Sequence, residues 1–162
     1  MEKLDLLVKG EKILAVGKDL DFPDAEIVDV RGKLLFPGFI DAHTHMALEV
    51  SNTVTADKFD TGTKAELAGG TTCIIDYATQ YPGESLRQGL DNWHKKADGH
   101  SSCDYAFHLA VTDWNEEISR ELEEITKKET MSFKLYMTYD TRVDDEEMYQ
   151  ILARLKELGG IA

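Results

Sequence analysis

Two kinds of segment alternate along this chain, and the alternation limits what it can fold into. Short runs dense in apolar, Thr and aromatic residues occupy residues 34–40, 71–77, 103–111 and 131–137, and helical spacing returns after each of them. The first helix is predicted over residues 55–68 and stops at Gly69-Gly70, a helix C-terminal signal. Ser85 caps the second, with Gln88 at capping-box spacing, and its apolar face is Leu86, Leu90, Trp93 and Ala97. The third, residues 115–128, buries Ile118, Leu122 and Ile125. The fourth follows the acidic box Asp144 and Glu147 and carries the stripe Met148, Ile151, Leu152, Leu155 and Leu158. Gly159-Gly160 ends it, and Ile161-Ala162 begins another strand. Strand–helix alternation at this spacing implies βαβ units, right-handed crossovers and a parallel sheet. The expected fold class is α/β with a parallel sheet built from four strand–helix units.

Ahead of this pattern, residues 4–8 and 12–16 read as two short strands around Lys9-Gly10-Glu11. Residues 26–30 read as a third, before the turn Arg31-Gly32-Lys33. The boundary is set at residue 33, dividing the chain into 1–33 and 34–162.

Composition excludes some function classes. With 18 Lys and Arg against 31 Asp and Glu, the net charge is −13. No basic stripe exists to meet phosphates, so no nucleic-acid partner is expected. No run approaches transmembrane length and the N-terminus lacks the long apolar core of a signal peptide, so the expectation is no membrane and a cytoplasmic location. Cys73 and Cys103 fit no zinc or redox spacing and read as buried free thiols.

The chemistry gathers at strand ends. In Phe36-Pro37-Gly38-Phe39-Ile40-Asp41-Ala42-His43-Thr44-His45, the two histidines stand at i and i+2 after an apolar strand. Side chains on a strand repeat every two residues, so His43 and His45 share a face, a half-site for a divalent metal. Asp41 lies on that face one layer deeper and is expected to orient the strand or a histidine from behind. Lys134 stands between Phe133 and Leu135 in the fourth strand. Desolvation there favours its neutral amine, which can take up carbon dioxide and become an anionic, metal-bridging carbamate. Tyr139 lies five residues further, past the strand end, where a phenol can donate a hydrogen bond to the oxyanion of an attacked carbonyl. His94 reads as exposed on a helix, His100 as part of a polar turn, and His108 as a hydrogen-bonded histidine inside the third strand.

Residues 36–45 resemble the first barrel strand of the metal-dependent amidohydrolase superfamily. Thr53-Val-Thr-Ala-Asp-Lys-Phe59, Ala68-Gly-Gly-Thr-Thr-Cys-Ile-Ile-Asp76 and Phe133-Lys-Leu-Tyr-Met-Thr-Tyr139 are similar to its cyclic amidases, in the dihydropyrimidinase/D-hydantoinase branch. The resemblance implies hydrolysis of the ring amide of dihydropyrimidines and hydantoins, opening them to N-carbamoyl amino acids. It implies two divalent metal ions, zinc by family habit, with His43 and His45 as ligands and N6-carboxylated Lys134 as the bridge. Tyr139 takes the substrate-binding and catalytic role. The small-molecule substrate and a homotetramer are the implied partners; residues 1–33 become part of a small β-sandwich, and residues 34–162 become about the first four units of a TIM-like (β/α)8 barrel, which takes about 250 residues when complete. Further histidine ligands and a late acid–base aspartate belong to the family's pattern and are not among these residues, so the chain is expected to be an incomplete portion, inactive alone. Residues 46–56, which shape the substituent pocket in hydantoinases, depart from the family's run at Met46-Ala-Leu-Glu-Val50. Two other readings remain: a non-catalytic adaptor like the collapsin-response mediators, which have lost metal ligands, and an allantoinase- or dihydroorotase-type cyclic amidase.

Overall fold

The computed structural model describes residues 3–50 and 52–162, so the first two residues of the leading segment and Ser51 of the loop after His45 lie outside the described residues. The chain forms two compact units, Met1–Phe36 and Pro37–Ala162.

In the first unit, β1 (Asp5–Lys9) and β2 (Lys12–Gly17) pair as an antiparallel hairpin. Gly10 makes the turn at φ 60°, a left-handed conformation that costs glycine little. The strand expected at residues 26–30 does not form. That stretch is irregular, and Ile27 is 90% exposed. β-branched residues fit a pleated surface only when a neighbouring strand supplies one, and none pairs here. Among the described residues the first unit therefore holds a two-stranded sheet and no sandwich.

The second unit runs β3 (Phe39–Thr44), β4 (Glu49–Val50), β5 (Thr53–Val54), α1 (Phe59–Gly69), β6 (Thr71–Thr79), α2 (Leu86–Ala97), β7 (Asp104–Val111), α3 (Glu116–Lys128), β8 (Phe133–Leu135) and α4 (Asp145–Leu158). Strands β3, β6, β7 and β8 lie side by side in chain order and are all parallel. This is the α/β alternation read from the sequence, folded as a parallel half-barrel. Ile161 makes an isolated parallel bridge with Ser132, at the β8 edge of the sheet. The small β4–β5 ribbon folds the loop after His45 on itself.

The helix ends follow their capping chemistry. Ser85 accepts from the Gln88 backbone N–H at 3.0 Å, and the Gln88 side chain accepts from the Ser85 N–H at 2.9 Å. Asp144 and Glu147 exchange the same pair of bonds. Asn115 accepts from the N–H groups of Glu117 and Ile118. Gly70 and Gly159, both at positive φ, close α1 and α4. The core lies between the outer face of the sheet (Ile74, Ala78, Leu109, Val111) and the inner stripes of the helices, led by Trp93, Leu122 and Ile151. Leu152, expected in the stripe of α4, is instead 45% exposed, one position off the buried line of Ile151 and Leu155.

Two strands differ from the sequence reading. The first begins at Phe39, not residue 34, because Pro37 has no N–H to donate and pairing with β6 opens at Phe39 and Thr71. The fourth is three residues long, Phe133–Leu135, with Lys134 at its centre. Cys73 and Cys103 are free but half-buried, since both stand near the strand beginnings. Among the described residues no helix is long and apolar enough to cross a membrane.

Candidate metal centre

Tyr77, near the C-terminal end of β6, is the hub of the site. Its ring centroid lies 4.7 Å from that of His43, 5.0 Å from His45 and 4.7 Å from His108, and the Lys134 Nζ stands 4.9 Å above it. Strand register explains the convergence. Tyr77 pairs with His108 and Ala110 pairs with Lys134, so the three side chains share the inner face of the sheet. His43 and His45 share the same face of their strand end, their centroids 5.2 Å apart and nearly perpendicular. The structure thus brings His43, His45 and Lys134 around one aromatic ring, although they are up to 91 residues apart in sequence (134 − 43).

Each group is held differently. His43 is exposed, and its Nδ1 meets the Tyr77 hydroxyl at 3.5 Å. The Asp41 carboxylate accepts from the His43 backbone N–H at 3.0 Å, so Asp41 acts on the strand and not on the imidazole. His45 is half-buried, and its Nδ1 is buried with no hydrogen-bond partner. Burial pushes the His45 imidazole below its ordinary value, with neighbouring His43 and Lys134 adding to the shift and Asp76 opposing it. A neutral imidazole with an orphaned nitrogen fits a cation better than it fits solvent or core. Lys134 is half-buried, its Nζ 5.1 Å from the Tyr136 ring as well. Among the described residues no three His, Cys, Asp or Glu side chains come together to hold a metal ion. The donors present fit part of a metal site.

Tyr139 stands apart from this cluster. It is 76% exposed on the loop after β8, its ring packed edge-on against Tyr136 at 6.2 Å. Its φ of 71° is a left-handed conformation that a β-carbon makes costly. His108 is hydrogen-bonded on both sides, by Nδ1 to Ser132 Oγ at 2.6 Å and by Nε2 to the Ala42 carbonyl at 3.0 Å. It spans from β7 to the backbone beside His43.

Two residues of the site were not singled out in the sequence. Tyr77 was legible only as a strand residue, although a tyrosine on the inner face near a strand's C-terminal end is a signal in itself. The other is Asp76, fully buried on the opposite face of β6. Its Oδ2 accepts from Thr44 Oγ1 at 2.9 Å and from the Met46 N–H at 2.7 Å, and its Oδ1 accepts from Trp93 Nε1 at 2.9 Å. Burial pushes the Asp76 carboxyl above the usual carboxylate range, and these three donors pull it back. An aspartate at a buried strand position demands such partners, and that demand was the available signal.

The four consecutive parallel strands form half of a barrel sheet, with His43, His45 and Lys134 at its inner rim. Residues 34–161 match the amidohydrolase family, and the chain belongs to it. Within that family it is 45% identical to a dihydropyrimidinase of Dictyostelium discoideum, the match covering 99% of this chain and 33% of that protein. It is 40% identical to a D-hydantoinase of Geobacillus stearothermophilus, over 97% of this chain and 34% of the other. The crystal structure of a dihydropyrimidinase from Brevibacillus agri superposes with a TM-score of 0.94 at 45% identity, covering 98% of this chain and 35% of that one. The chain spans about a third of the length of the relatives it matches.

Proposed function

We propose that this chain is the leading portion of a metal-dependent cyclic amidohydrolase that opens dihydropyrimidine and hydantoin rings to N-carbamoyl amino acids. The observation that carries the proposal is the convergence of His43, His45 and Lys134 on Tyr77 at the inner rim of the sheet. The chain's similarity to the dihydropyrimidinase and D-hydantoinase relatives supports the same reading.

His43 and His45 would hold one divalent metal through neutral ring nitrogens, zinc being the metal that imidazole and carboxylate-type donors suit. Lys134 would complete the bridge to a second after its amine adds to carbon dioxide and loses a proton. Metal held there would supply Lewis acidity, enough to activate a water at neutral pH and to polarise the ring carbonyl. Tyr139, on the rim loop, donates its hydroxyl proton in a hydrogen bond to the oxygen that gains charge as the amide carbon is attacked. Asp41 keeps the His43 backbone in place through its 3.0 Å bond. The C–N bond of the ring then breaks and its nitrogen takes a proton from an acid that these residues do not supply. Two metals need more ligands than three, so these 162 residues alone would not turn over substrate. The β1–β2 hairpin would belong to a β-sandwich, and the working enzyme would be a cytoplasmic tetramer.

The test is hydrolysis of dihydrouracil and hydantoin by the purified protein, before and after chelation and with His45→Ala. Ring opening that depends on metal and on His45 is expected of the enzyme carrying this portion. Metal-independent opening, or full activity of the 162-residue chain alone, would overturn the proposal.

A further inference from the structure

Asp76 lies outside the chemistry above, yet its hydrogen bonds bracket His45. The same oxygen, Oδ2, takes the side chain of Thr44 and the backbone of Met46, the residues before and after the histidine. Tying both chain neighbours of His45 to one buried carboxylate holds the backbone there, and so the direction in which the His45 side chain leaves it. The second oxygen is anchored by Trp93 of α2, so the bracket is fastened to the helix layer behind the sheet. That layer reaches the same turn a second time. Lys96 Nζ lies 4.0 Å above the Trp93 ring and donates to the Ala47 carbonyl at 3.0 Å. Ala47 itself sits at φ 50°, a left-handed conformation for a residue with a β-carbon, and its N–H donates to the Asp57 carbonyl at 2.8 Å. The turn after His45 is thus held from several sides in a conformation it would not adopt freely.

We propose that Asp76 is a positioning residue for the metal centre: by fixing Thr44 and Met46 it sets the direction of the His45 ring, and hence the affinity and geometry of the metal held by His43 and His45. The proposal rests on the metal reading given above. It differs from an ordinary buried hydrogen bond in what it controls. A core bond supports the whole fold, whereas this bracket acts on one ring whose Nδ1 has no partner of its own.

The test is cobalt(II) binding by the purified protein, followed through its visible absorption. Wild type is compared with Asp76→Asn, Thr44→Val and Ile125→Val, with thermal unfolding measured in parallel without metal. Asp76→Asn is expected to weaken cobalt affinity about tenfold or more and to shift the absorption bands, as loss of an outer ligand partner does. Thr44→Val removes one of the two bracketing bonds and is expected to move affinity and bands the same way by a smaller factor. Ile125→Val, in the core on α3, is expected to lower the melting temperature and leave the cobalt site as it was. Wild-type affinity and bands in both Asp76→Asn and Thr44→Val would overturn the proposal. So would an affinity loss in Ile125→Val as large as theirs for the same drop in melting temperature. If Asp76→Asn does not fold, Thr44→Val decides. A wild type that takes up no cobalt overturns the metal reading on which this proposal rests, whereas a wild type that binds cobalt and variants that bind it equally overturn this proposal alone.

Discussion

Gly89 in α2 is where the fold leaves no room for a single methyl group. A β-carbon built there would lie 2.9 Å from the Gln80 Cα, 3.1 Å from the Gln80 N and 3.2 Å from the Thr79 carbonyl oxygen. Carbon atoms rest about 3.5–4.0 Å apart, so Gly89→Ala forces the helix and β6 apart by about 0.6–1 Å. Gln80 cannot yield, because it is buried and bonded on every side. Its N–H donates to the Ala110 carbonyl at 3.2 Å, its carbonyl accepts from Thr112 Oγ1 at 2.8 Å, and its side chain joins Glu84 O and Thr112 N. Nor can α2 withdraw without unpacking Leu86, Leu90 and Trp93, all fully buried. Helix propensity favours alanine by about 1 kcal/mol. Overpacking against backbone costs about 1–3 kcal/mol, and rigid main-chain partners place this case in the upper part of that range. The expected net loss is about 1–2 kcal/mol, or a melting temperature lower by about 2–8 °C for a chain of this size. Thermal unfolding followed by circular dichroism measures it. Gly69→Ala serves as the control, because a β-carbon there meets nothing within 4 Å. A Gly89→Ala protein that melts at or above wild type would refute the reasoning.

Other perturbations have distinct expected results. Tyr139→Gly relieves the left-handed backbone at φ 71° and should stabilise by about 1 kcal/mol, while Tyr139→Phe leaves stability unchanged. In the enzyme carrying this portion, both should slow ring opening by about a hundredfold if the phenol meets the oxyanion, and steady-state kinetics beside unfolding curves separate the two effects. Asn115→Ala removes the acceptor for two N–H groups of α3 and should cost about 1 kcal/mol, read from denaturant unfolding. The hydrogen bond from the Tyr105 hydroxyl to the Asp98 carboxylate pushes that phenol up to about 12. Being raised in the folded state, it contributes stability below the ordinary phenol value of about 10, lost as pH climbs through about 12. Ultraviolet titration should show a tyrosine titrating at about 12 that moves down in Asp98→Asn.

The legible parts of this fold were those whose causes are local. Ser85 with Gln88 and Asp144 with Glu147 announce helix starts because the partners are three residues apart. The shared face of His43 and His45 follows from strand periodicity alone. Residues 26–30 show the opposite case: their composition suits a strand, but strand formation needs a neighbour that composition does not reveal. Asp76 went unread for a related reason. Its meaning depends on Thr44, 32 residues back, and on Trp93, 17 ahead, and only the folded sheet brings them together. Tyr77 likewise becomes a hub only when β3, β7 and β8 are placed around it.

The measurement that bears most directly on the central claim is the metal content of the purified protein, by elemental analysis, for wild type and for a His43→Ala/His45→Ala pair. The account predicts bound divalent metal, zinc foremost, in wild type and its loss in the double variant with the fold retained. Metal that stays bound without both histidines, or a wild type that carries none after growth and dialysis in zinc, would contradict it.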